Sequence, residues 1–201
     1  MHAVVVRYTG QTGQLDDLIR HSTEVTLPAA RGVRGLLGRH LLVNRDTHRV
    51  VALSYYQLAE DARAVVEHPS YQESRASRHF AVGQVDTRIY EVPYVSPTAD
   101  WDRARWARLV SYQLQPGRMA ERVRLAEERE EASRAIPGRV GAYVLADRAT
   151  EHSLVLGLWS GAQEMRASEQ HEAARGWPSQ HGLAAGDVAV EHYEVAHRSN
   201  N

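Results

Sequence analysis

The sequence predicts an α+β fold made of two tandem copies of one βαββαβ unit within a single chain. Two observations carry this prediction: short anchors recur in the same order in both halves, and each half shows the same succession of strand and helix patterns. A third observation agrees, because 201 residues suit two small domains and a hydrophobic fraction of 43% is enough to build their cores.

The repeat is visible as matched segments whose spacing changes little along the chain. The matched pairs are 5–8 with 109–112, 13–15 with 117–119, 32–35 with 138–141, 51–56 with 154–159, His68 with His171, and 90–92 with 193–195. The offset is 104 from residue 8 to 112, 106 from 32 to 138, and 103 from 90 to 193. Small insertions in loops explain this drift, so the two halves are diverged copies.

The first copy opens with a strand and a long helix. A strand is predicted over 2–9, which is rich in Val and Tyr. A helix is predicted over 14–30, where Leu, Ile and Val recur at roughly helical spacing. Gly32 and Gly35 then mark a turn that leads into the sheet.

The rest of the first copy is read in the same way. Strands are predicted over 36–44 and 49–57, with a polar turn between them. A second helix over 58–67 ends before Pro69, because proline disfavours helix in the residue that it follows. The last strand is predicted over 84–92.

The second copy repeats this order. Its strands are predicted at 107–114, 140–147, 153–160 and 187–195, and its helices at 117–135 and 161–174. The order is the ferredoxin-like pattern, in which helices cover only one face of an antiparallel sheet. The other face needs a partner, and the second copy supplies one. We therefore expect a first repeat at 1–95, a linker at 96–105, a second repeat at 106–201, and a cavity between two facing sheets.

Composition and missing motifs exclude several classes of function. The formal net charge of −1 gives no general attraction to nucleic acid, and the chain has no Cys for disulfides, thiol catalysis or Cys-ligated zinc. No HxH or HExxH spacing points to a metal, so no metal site is predicted. No signal peptide and no apolar run of about 18 residues are recognised, so we expect a cytoplasmic protein without a membrane partner.

The sequence resembles the antibiotic-biosynthesis monooxygenase family of the dimeric α+β barrel superfamily, as a tandem-repeat member. The resemblance is carried by the opening Val-Val-Val-Arg-Tyr strand at 4–8, the turn from Gly32 to Gly35, and the strand ending Leu-Trp-Ser at 158–160. Tyr56 takes the place of Trp159 in the first copy. The resemblance implies an intramolecular dimeric α+β barrel.

The resemblance also implies a function. It implies an oxygenase that acts on an aromatic polyketide-like metabolite in natural-product biosynthesis, with O₂ as co-substrate. Some relatives need no cofactor and others use reduced flavin (FMNH₂ or FADH₂), so both possibilities stay open. Alternatives on the same fold are a polyketide cyclase or isomerase, a heme-binding barrel, and a non-catalytic ligand-binding barrel.

Aromatic and basic residues are the candidates for substrate binding. The predicted substrate-binding residues are Trp159, Tyr56, Trp177, Tyr112, Tyr8, Arg7 and His40. An aromatic ring can stack on a planar substrate, although Trp159 can equally be a core residue under a helix. Arg7 is expected either to hold an acidic or phenolate group or to face solvent near a strand end. The alternation of strand three leaves open whether Tyr56 or Tyr55 faces the cavity.

Four histidines are the candidates for catalysis, because imidazole can deprotonate a phenol near neutral pH. They are His171, His181, His68 and His79. In heme-degrading relatives a His in the region of His68 and His171 ligates iron. Both can also be ordinary polar residues at a helix end. The second copy is favoured as the active half, and further association into a homodimer of the pseudo-dimer stays open.

Overall fold

The computed structural model describes residues 1–97, 100–171 and 182–200. The strands are β1 (His2–Gly10), β2 (Leu36–Asn44), β3 (Arg49–Tyr56), β4 (Ala81–Val95), β5 (Trp106–Gln113), β6 (Arg139–Asp147), β7 (His152–Trp159) and β8 (Ala189–Asn200). Each strand predicted from the sequence is present, which confirms the α+β class. The last strands of both copies, β4 and β8, are longer than their patterns indicate.

The helices follow the predicted order with added detail. They are α1 (Leu15–His21), α2 (Leu27–Arg31), α3 (Ala59–Glu67), α4 (Pro69–Ser74), α5 (Ala76–Phe80), α6 (Met119–Glu128), α7 (Glu130–Arg134) and α8 (Ala162–Ala167). A π-helix, Ser22–Thr26, joins α1 to α2, and 3₁₀ turns occupy Trp101–Arg103 and Ser168–Gln170. The single predicted helix over 14–30 is therefore three consecutive pieces, and the short helices α4 and α5 were not predicted.

The chain divides into two compact units. Unit 1 comprises Met1–Tyr90 with Glu194–Asn201, and unit 2 comprises Glu91–Tyr193. The units differ from the predicted repeats because the end of each last strand joins the sheet of the other copy. In unit 1 the end of β8 pairs with β2, with Val43 opposite Glu194. In unit 2 the end of β4 pairs with β6, with Ala146 opposite Glu91.

The hydrogen-bonded strand order is the same in both copies. β1 and β2 flank β3 in unit 1, and β5 and β6 flank β7 in unit 2. Over the described residues the order is β1-β3-β2-β8-β5-β7-β6-β4, and it closes on itself as a barrel. The predicted tandem ferredoxin-like α+β barrel is thus confirmed.

One face of each sheet is covered by helices. In unit 1, Val4, Val6 and Tyr8 pack with Leu18 and Leu27 in a continuous apolar core. Because side chains alternate along a strand, these residues and every second neighbour define the helix-facing side. Smaller apolar clusters in unit 2 contain Tyr112 with Met119, and Trp159 with Met165.

In each copy, one glycine just before the second strand is required by its surroundings. Gly35 has a φ of +87° and Gly138 a φ of +72°, a backbone region that favours glycine. A Cβ at Gly35 would lie 2.3 Å from an Asp61 carboxylate oxygen, and a Cβ at Gly138 would lie 2.5 Å from Cβ of Glu164. The same close approach in both copies supports their common origin.

Within the described residues, none of the helices combines the length and the apolar character needed to cross a membrane.

Candidate functional site

The helix-facing side of the β5–β7 ladder in unit 2 carries both polar and aromatic side chains. Its register pairs, from one end to the other, are Trp106 with Trp159, Arg108 with Gly157, Val110 with Val155, and Tyr112 with Ser153. On the other side of β7, Ala142 of β6 lies opposite Gly157. At the register position of Arg108, the neighbouring residues on β7 and β6 are therefore both small. We call such a row of residues across the strands a level.

Trp159 lies at the end of β7 and is completely buried. Its ring packs with Ile136 and Met165, so it is a core residue beneath the helices. Its indole N–H is buried without a hydrogen-bond partner among the described residues. A Cβ built on Gly157 would come within 3.4 Å of this nitrogen, so the N–H side of the indole lies beside the glycine. The guanidinium of Arg108 lies 5.2 Å from the ring centroid, a cation–π contact.

Arg108 connects Trp159 to a polar group under α8. Its Nη1 donates to Ser168 Oγ (3.0 Å) and lies 3.9 Å from Glu169 Oε1. His192 Nε2 on β8 is 2.6 Å from the same oxygen of Glu169. Burial lowers the pKa of Arg108, Glu169 opposes this shift, and the charge of Arg139 adds to it. The arrangement places a partly buried cation and an imidazole–carboxylate pair beside a buried indole.

Tyr112 and Arg122 form a second polar pair on the same face. Arg122 Nε donates to the Tyr112 hydroxyl over 2.6 Å, and both residues are 2% exposed. Burial lowers the pKa of Arg122 and raises the pKa of Tyr112. Each buried group thereby gains a partner for its polar atoms.

The middle of this face is more accessible in unit 2 than in unit 1. Val110 and Val155 are only half-buried, although both lie inside a sheet. Their equivalents Val6 and Ala52 are 4% and 6% exposed. A half-buried apolar strip between Trp159 and Tyr112 is a surface that suits the face of a planar ligand.

Unit 1 has a closed arrangement at the same level. Arg39 of β2 is 3% exposed; its Nη1 donates to the Ser22 carbonyl oxygen (2.9 Å) and its Nη2 to Ser22 Oγ (2.8 Å). Tyr8 and Tyr56 are buried nearby in the apolar core, and burial raises the pKa of both hydroxyls. The helix-facing side of unit 1 is therefore filled by the protein itself.

The polar group of unit 2 replaces apolar residues of unit 1. At the repeat offsets, the equivalents of Arg108, Ser168, Glu169 and His192 are Val4, Val65, Val66 and Ile89. Val4 and Val65 are fully buried, and Val66 and Ile89 pack against the core of unit 1. Placing a charged group where a valine suffices has a desolvation cost. A function in the second copy would explain these residues.

The described histidines predicted as catalytic lie on the surface. His68 follows α3, is exposed and contacts Ser70 Oγ (3.2 Å), and the exposed His171 follows the turn at 168–170. His79 on α5 is also exposed, with its Nε2 bonded to the Glu73 carbonyl oxygen (3.0 Å). The structure therefore does not bury them beside Tyr56 or Trp159. His181 and the predicted binding residue Trp177 lie outside the described residues.

Arg7 and His40 point away from the helices. Arg7 is half-buried, and its charge opposes the burial that raises the pKa of Tyr90. His40 is 2% exposed, and its Nδ1 lies 3.2 Å from the Tyr55 hydroxyl. The alternation of β3 is thus decided: Tyr56 faces the helices and Tyr55 faces the opposite side.

A cavity lies at the start of β6 in unit 2. It has a volume of about 150 Å³ and is lined by Asp100, Arg103, Glu130, Arg134, Arg139, Val140 and Gly141. Glu130 accepts hydrogen bonds from the Tyr94 hydroxyl, from Ser96 Oγ (3.0 Å) and from Arg134 Nε (3.2 Å). Burial works against ionisation, but these donors and Arg139 hold the pKa of Glu130 below its usual value. The cavity thus contains a carboxylate that is already fully engaged.

Among the residues that the structure describes, no group of three or more His, Asp or Glu side chains could hold a metal ion.

Sequence reasoning did not single out Arg108, Arg122, Ser168 or Glu169. The available signal was the comparison of the copies, in which Arg, Ser, Glu and His stand opposite Val, Val, Val and Ile. Reading that signal needs the correct offset at each element, which the loops obscure. It also needs the knowledge that these positions share one face.

The similarity in sequence to known proteins is limited. No protein-family model matches the chain. An uncharacterized protein of Mycobacterium tuberculosis is 33% identical over 100 residues, which are 48% of this chain and 42% of the relative. The chain thus matches less than half the length of that curated relative.

Solved structures match nearly the whole chain at low sequence identity. A candidate monooxygenase of Fusobacterium nucleatum has a TM-score of 0.76 at 14% identity, with 99% of this chain and 94% of that chain covered. An anthrone oxidase-like protein has a TM-score of 0.72 at 15% identity, with 99% and 92% covered. A heme-degrading enzyme of Listeria monocytogenes has a TM-score of 0.53 at 9% identity, with 96% and 99% covered. The chain therefore has the fold of monooxygenase-like barrels.

Proposed function

We infer that the chain is an oxygenase and that its unit 2 binds a planar phenolic substrate on the helix-facing side of β5 and β7. The observation that carries this inference is the polar group Arg108–Ser168–Glu169–His192 beside the buried Trp159, at positions where the first copy is apolar. The fold shared with monooxygenase-like proteins supports the reaction class.

Each part of the site has a role in forming and holding a phenolate. The substrate ring lies against the half-buried strip of Val110 and Val155, where water is excluded from one face. His192, whose Nε2 is hydrogen-bonded to Glu169, accepts the phenol proton. The charge of Arg108 stabilises the resulting anion, and the indole N–H of Trp159 donates to a substrate oxygen.

The phenolate then reacts with O₂. In an anthrone-type substrate the ring CH₂ carbon loses two hydrogens and gains one oxygen as a carbonyl group. The other oxygen atom leaves as water with the two hydrogens, so no outside reductant is needed. The protein orients the ring and keeps the anion away from bulk water.

The test is oxygen uptake on anthrone- and naphthol-type phenols, with and without reduced flavin, corrected for autoxidation. Trp159→Phe keeps an aromatic ring but removes the N–H, so we expect kcat/KM to fall about tenfold, as for one lost hydrogen bond. Tyr56→Phe in unit 1 is the matched control and should stay within about twofold of wild type. Gly157→Ser introduces the residue type that the first copy has at this position, Ser54. It should weaken substrate binding because the new side chain would lie beside the indole.

Other outcomes distinguish the alternatives. Uptake only with reduced flavin would support the ring-opening type of oxygenase. Tight binding of phenols without uptake would instead support a cyclase or a binding protein. Heme binding receives less support, because the two histidines at the predicted ligand region, His68 and His171, are exposed. A Soret shift on adding hemin would favour it.

A further inference from the structure

Each unit places one arginine at the same level of its helix-facing sheet, but on opposite flanking strands. In unit 1 the level consists of Val4, Ser54 and Arg39, and in unit 2 of Arg108, Gly157 and Ala142. The arginine therefore lies on one side of the central strand in unit 1 and on the other side in unit 2. The two arginines differ in the hydrogen-bond partners that the protein provides for their guanidinium groups.

Arg39 is held by its own unit through both terminal nitrogens of the guanidinium. Two of its nitrogens donate to Ser22, and the residue is 3% exposed. A ligand has no access to this guanidinium without displacing the π-helix that contains Ser22. Unit 1 is thus closed to an anion at this level.

Within the described part of the chain, Arg108 donates hydrogen bonds from one nitrogen only. Among the described residues its hydrogen bonds use Nη1, which donates to the neutral hydroxyl of Ser168. Glu169 Oε1 is 3.9 Å away, beyond hydrogen-bonding distance, and the same oxygen is held by His192 at 2.6 Å. The side chain of Arg108 keeps 14% of its surface exposed. The planar guanidinium group can donate two parallel hydrogen bonds to one carboxylate, and among the described residues Arg108 makes no such pair.

The residues beside Arg108 on the sheet are small. Gly157 and Ala142 have little or no side chain, whereas unit 1 fills the same positions with Ser54 and Arg39. The half-buried strip of Val110 and Val155 continues from this point along the sheet. A ligand ring on the strip would have one edge at the guanidinium.

Charged groups from three elements surround Arg108. Glu169 and His192 face it from the 3₁₀ turn and β8, and Arg139 faces it from β6. Arg139 is itself paired with Glu130 at 3.6 Å. The positive groups of this neighbourhood are therefore partly buried, while Glu169 is the more exposed member at 40%.

We propose that the unit 2 site selects aromatic ligands that carry a carboxylate on the ring system, and that Arg108 holds this carboxylate. The location of the site rests on the proposed function, but the selection for an acid does not depend on any reaction with O₂. One such ligand binds per chain, because the equivalent level of unit 1 is closed by Arg39.

The experiment is calorimetric binding of 1-hydroxy-2-naphthoate and of its methyl ester, which has the same ring system without the charge. Wild-type protein should bind the acid at least about tenfold more tightly than the ester, with one site per chain. Arg108→Gln should weaken the acid about tenfold and the ester, which binds as a neutral phenol, less than about twofold. Arg124→Gln, at an exposed arginine of α6, is the matched control and should change neither. Circular dichroism and the retained ester affinity report that Arg108→Gln is folded.

Several results would overturn the proposal. These are equal affinities of acid and ester for wild-type protein, an equal loss of both in Arg108→Gln, or two sites per chain. Binding of neither compound would overturn both the proposal and the site. The oxygenase proposal fails separately: selective binding of the acid without oxygen uptake leaves the present proposal standing, whereas uptake with neutral phenols alone contradicts it and leaves the oxygenase standing.

Discussion

His40 shows how burial changes the chemistry of a single residue. It lies on β2, 2% exposed, with its ring edge-on to Tyr55 and its Nδ1 3.2 Å from the Tyr55 hydroxyl. Burial, together with the nearby charges of Arg198 and His197, lowers the pKa of His40 to about 3. A histidine in this state is neutral at physiological pH, so it acts as a hydrogen-bonding core residue and not as a base.

The stability of the protein should therefore depend on His40 at mildly acidic pH. Because the folded pKa of about 3 lies below the ordinary value of 6.5, the unfolded chain binds a proton between these pH values that the folded chain does not. This contribution to the free energy of unfolding is fully present above pH 6.5 and is lost as the pH falls. From pH 6.5 to 5 the loss is about 1–2 kcal/mol.

His40→Gln should remove that part of the pH dependence in urea unfolding measured at both pH values. His68→Gln, at an exposed histidine, is the control and should keep the wild-type slope. An unchanged slope in His40→Gln would show that His40 is not neutral in the folded protein.

At the scale of elements, the first helix of each copy differs in a way that matters for the sheet beneath it. In unit 1, α1 and α2 are joined by the π-helix Ser22–Thr26, which is a rare element often found where a helix adapts to a special contact. Here the contact is between Ser22 and Arg39. In unit 2, α6 and α7 are separated at Arg129, and the sheet beneath has Ala142 where unit 1 has Arg39.

Ser22→Ala should destabilise the protein by about 1–3 kcal/mol, because it removes an acceptor from a buried guanidinium. Thr23→Ala is the matched control in the same π-helix. The Thr23 hydroxyl only donates back to the Ile19 carbonyl oxygen, so its loss should change stability by less than about 0.5 kcal/mol. Chemical denaturation measures both, and equal effects of the two changes would contradict the role given to Ser22.

At the scale of the whole molecule, neither sequence repeat is a complete folding unit. In unit 1, β2 pairs with the part of β8 that begins at Glu194. In unit 2, β6 pairs with the part of β4 that begins at Glu91. A repeat expressed alone would leave β2 or β6 with unpaired backbone groups at an edge. Two such repeats in one chain supply each other's missing pairing at high effective concentration.

The fragment 1–95 is therefore not expected to be a folded monomer. Alone it should be unfolded or self-associated in light scattering and circular dichroism. An equimolar mixture with 96–201 should give a one-to-one complex with more sheet signal than the sum of the separate fragments. A monomeric fragment 1–95 with a cooperative unfolding transition would refute the exchange of strand ends as the source of stability.

Much of the fold could be read from local patterns, and the reasons are visible in particular elements. β2 was predicted at 36–44 and β3 at 49–57, and the observed bounds are Leu36–Asn44 and Arg49–Tyr56, because apolar runs and a polar turn are local signals. The π-helix was not predictable, since it depends on the contact with Arg39. The extra length of β4 and β8 also depends on pairing with distant strands.

The candidate site was predicted less completely than the fold. Trp159 was found from a resemblance and from its repeat mate Tyr56, but Arg108 was not. Its neighbours on β5 indicate only a strand, and its partners Ser168 and Glu169 lie 60 and 61 positions further along the chain. Only packing brings these side chains together.

By itself the sequence determined the repeat, the order of strands and helices, and the need for each sheet to bury its second face, because these follow from periodicity and from apolar composition. The tertiary structure decided where each last strand ends, which face Tyr56 and Trp159 occupy, and which copy leaves an arginine accessible. These features depend on the register between distant strands, and a shift of one residue in register moves every side chain to the opposite face.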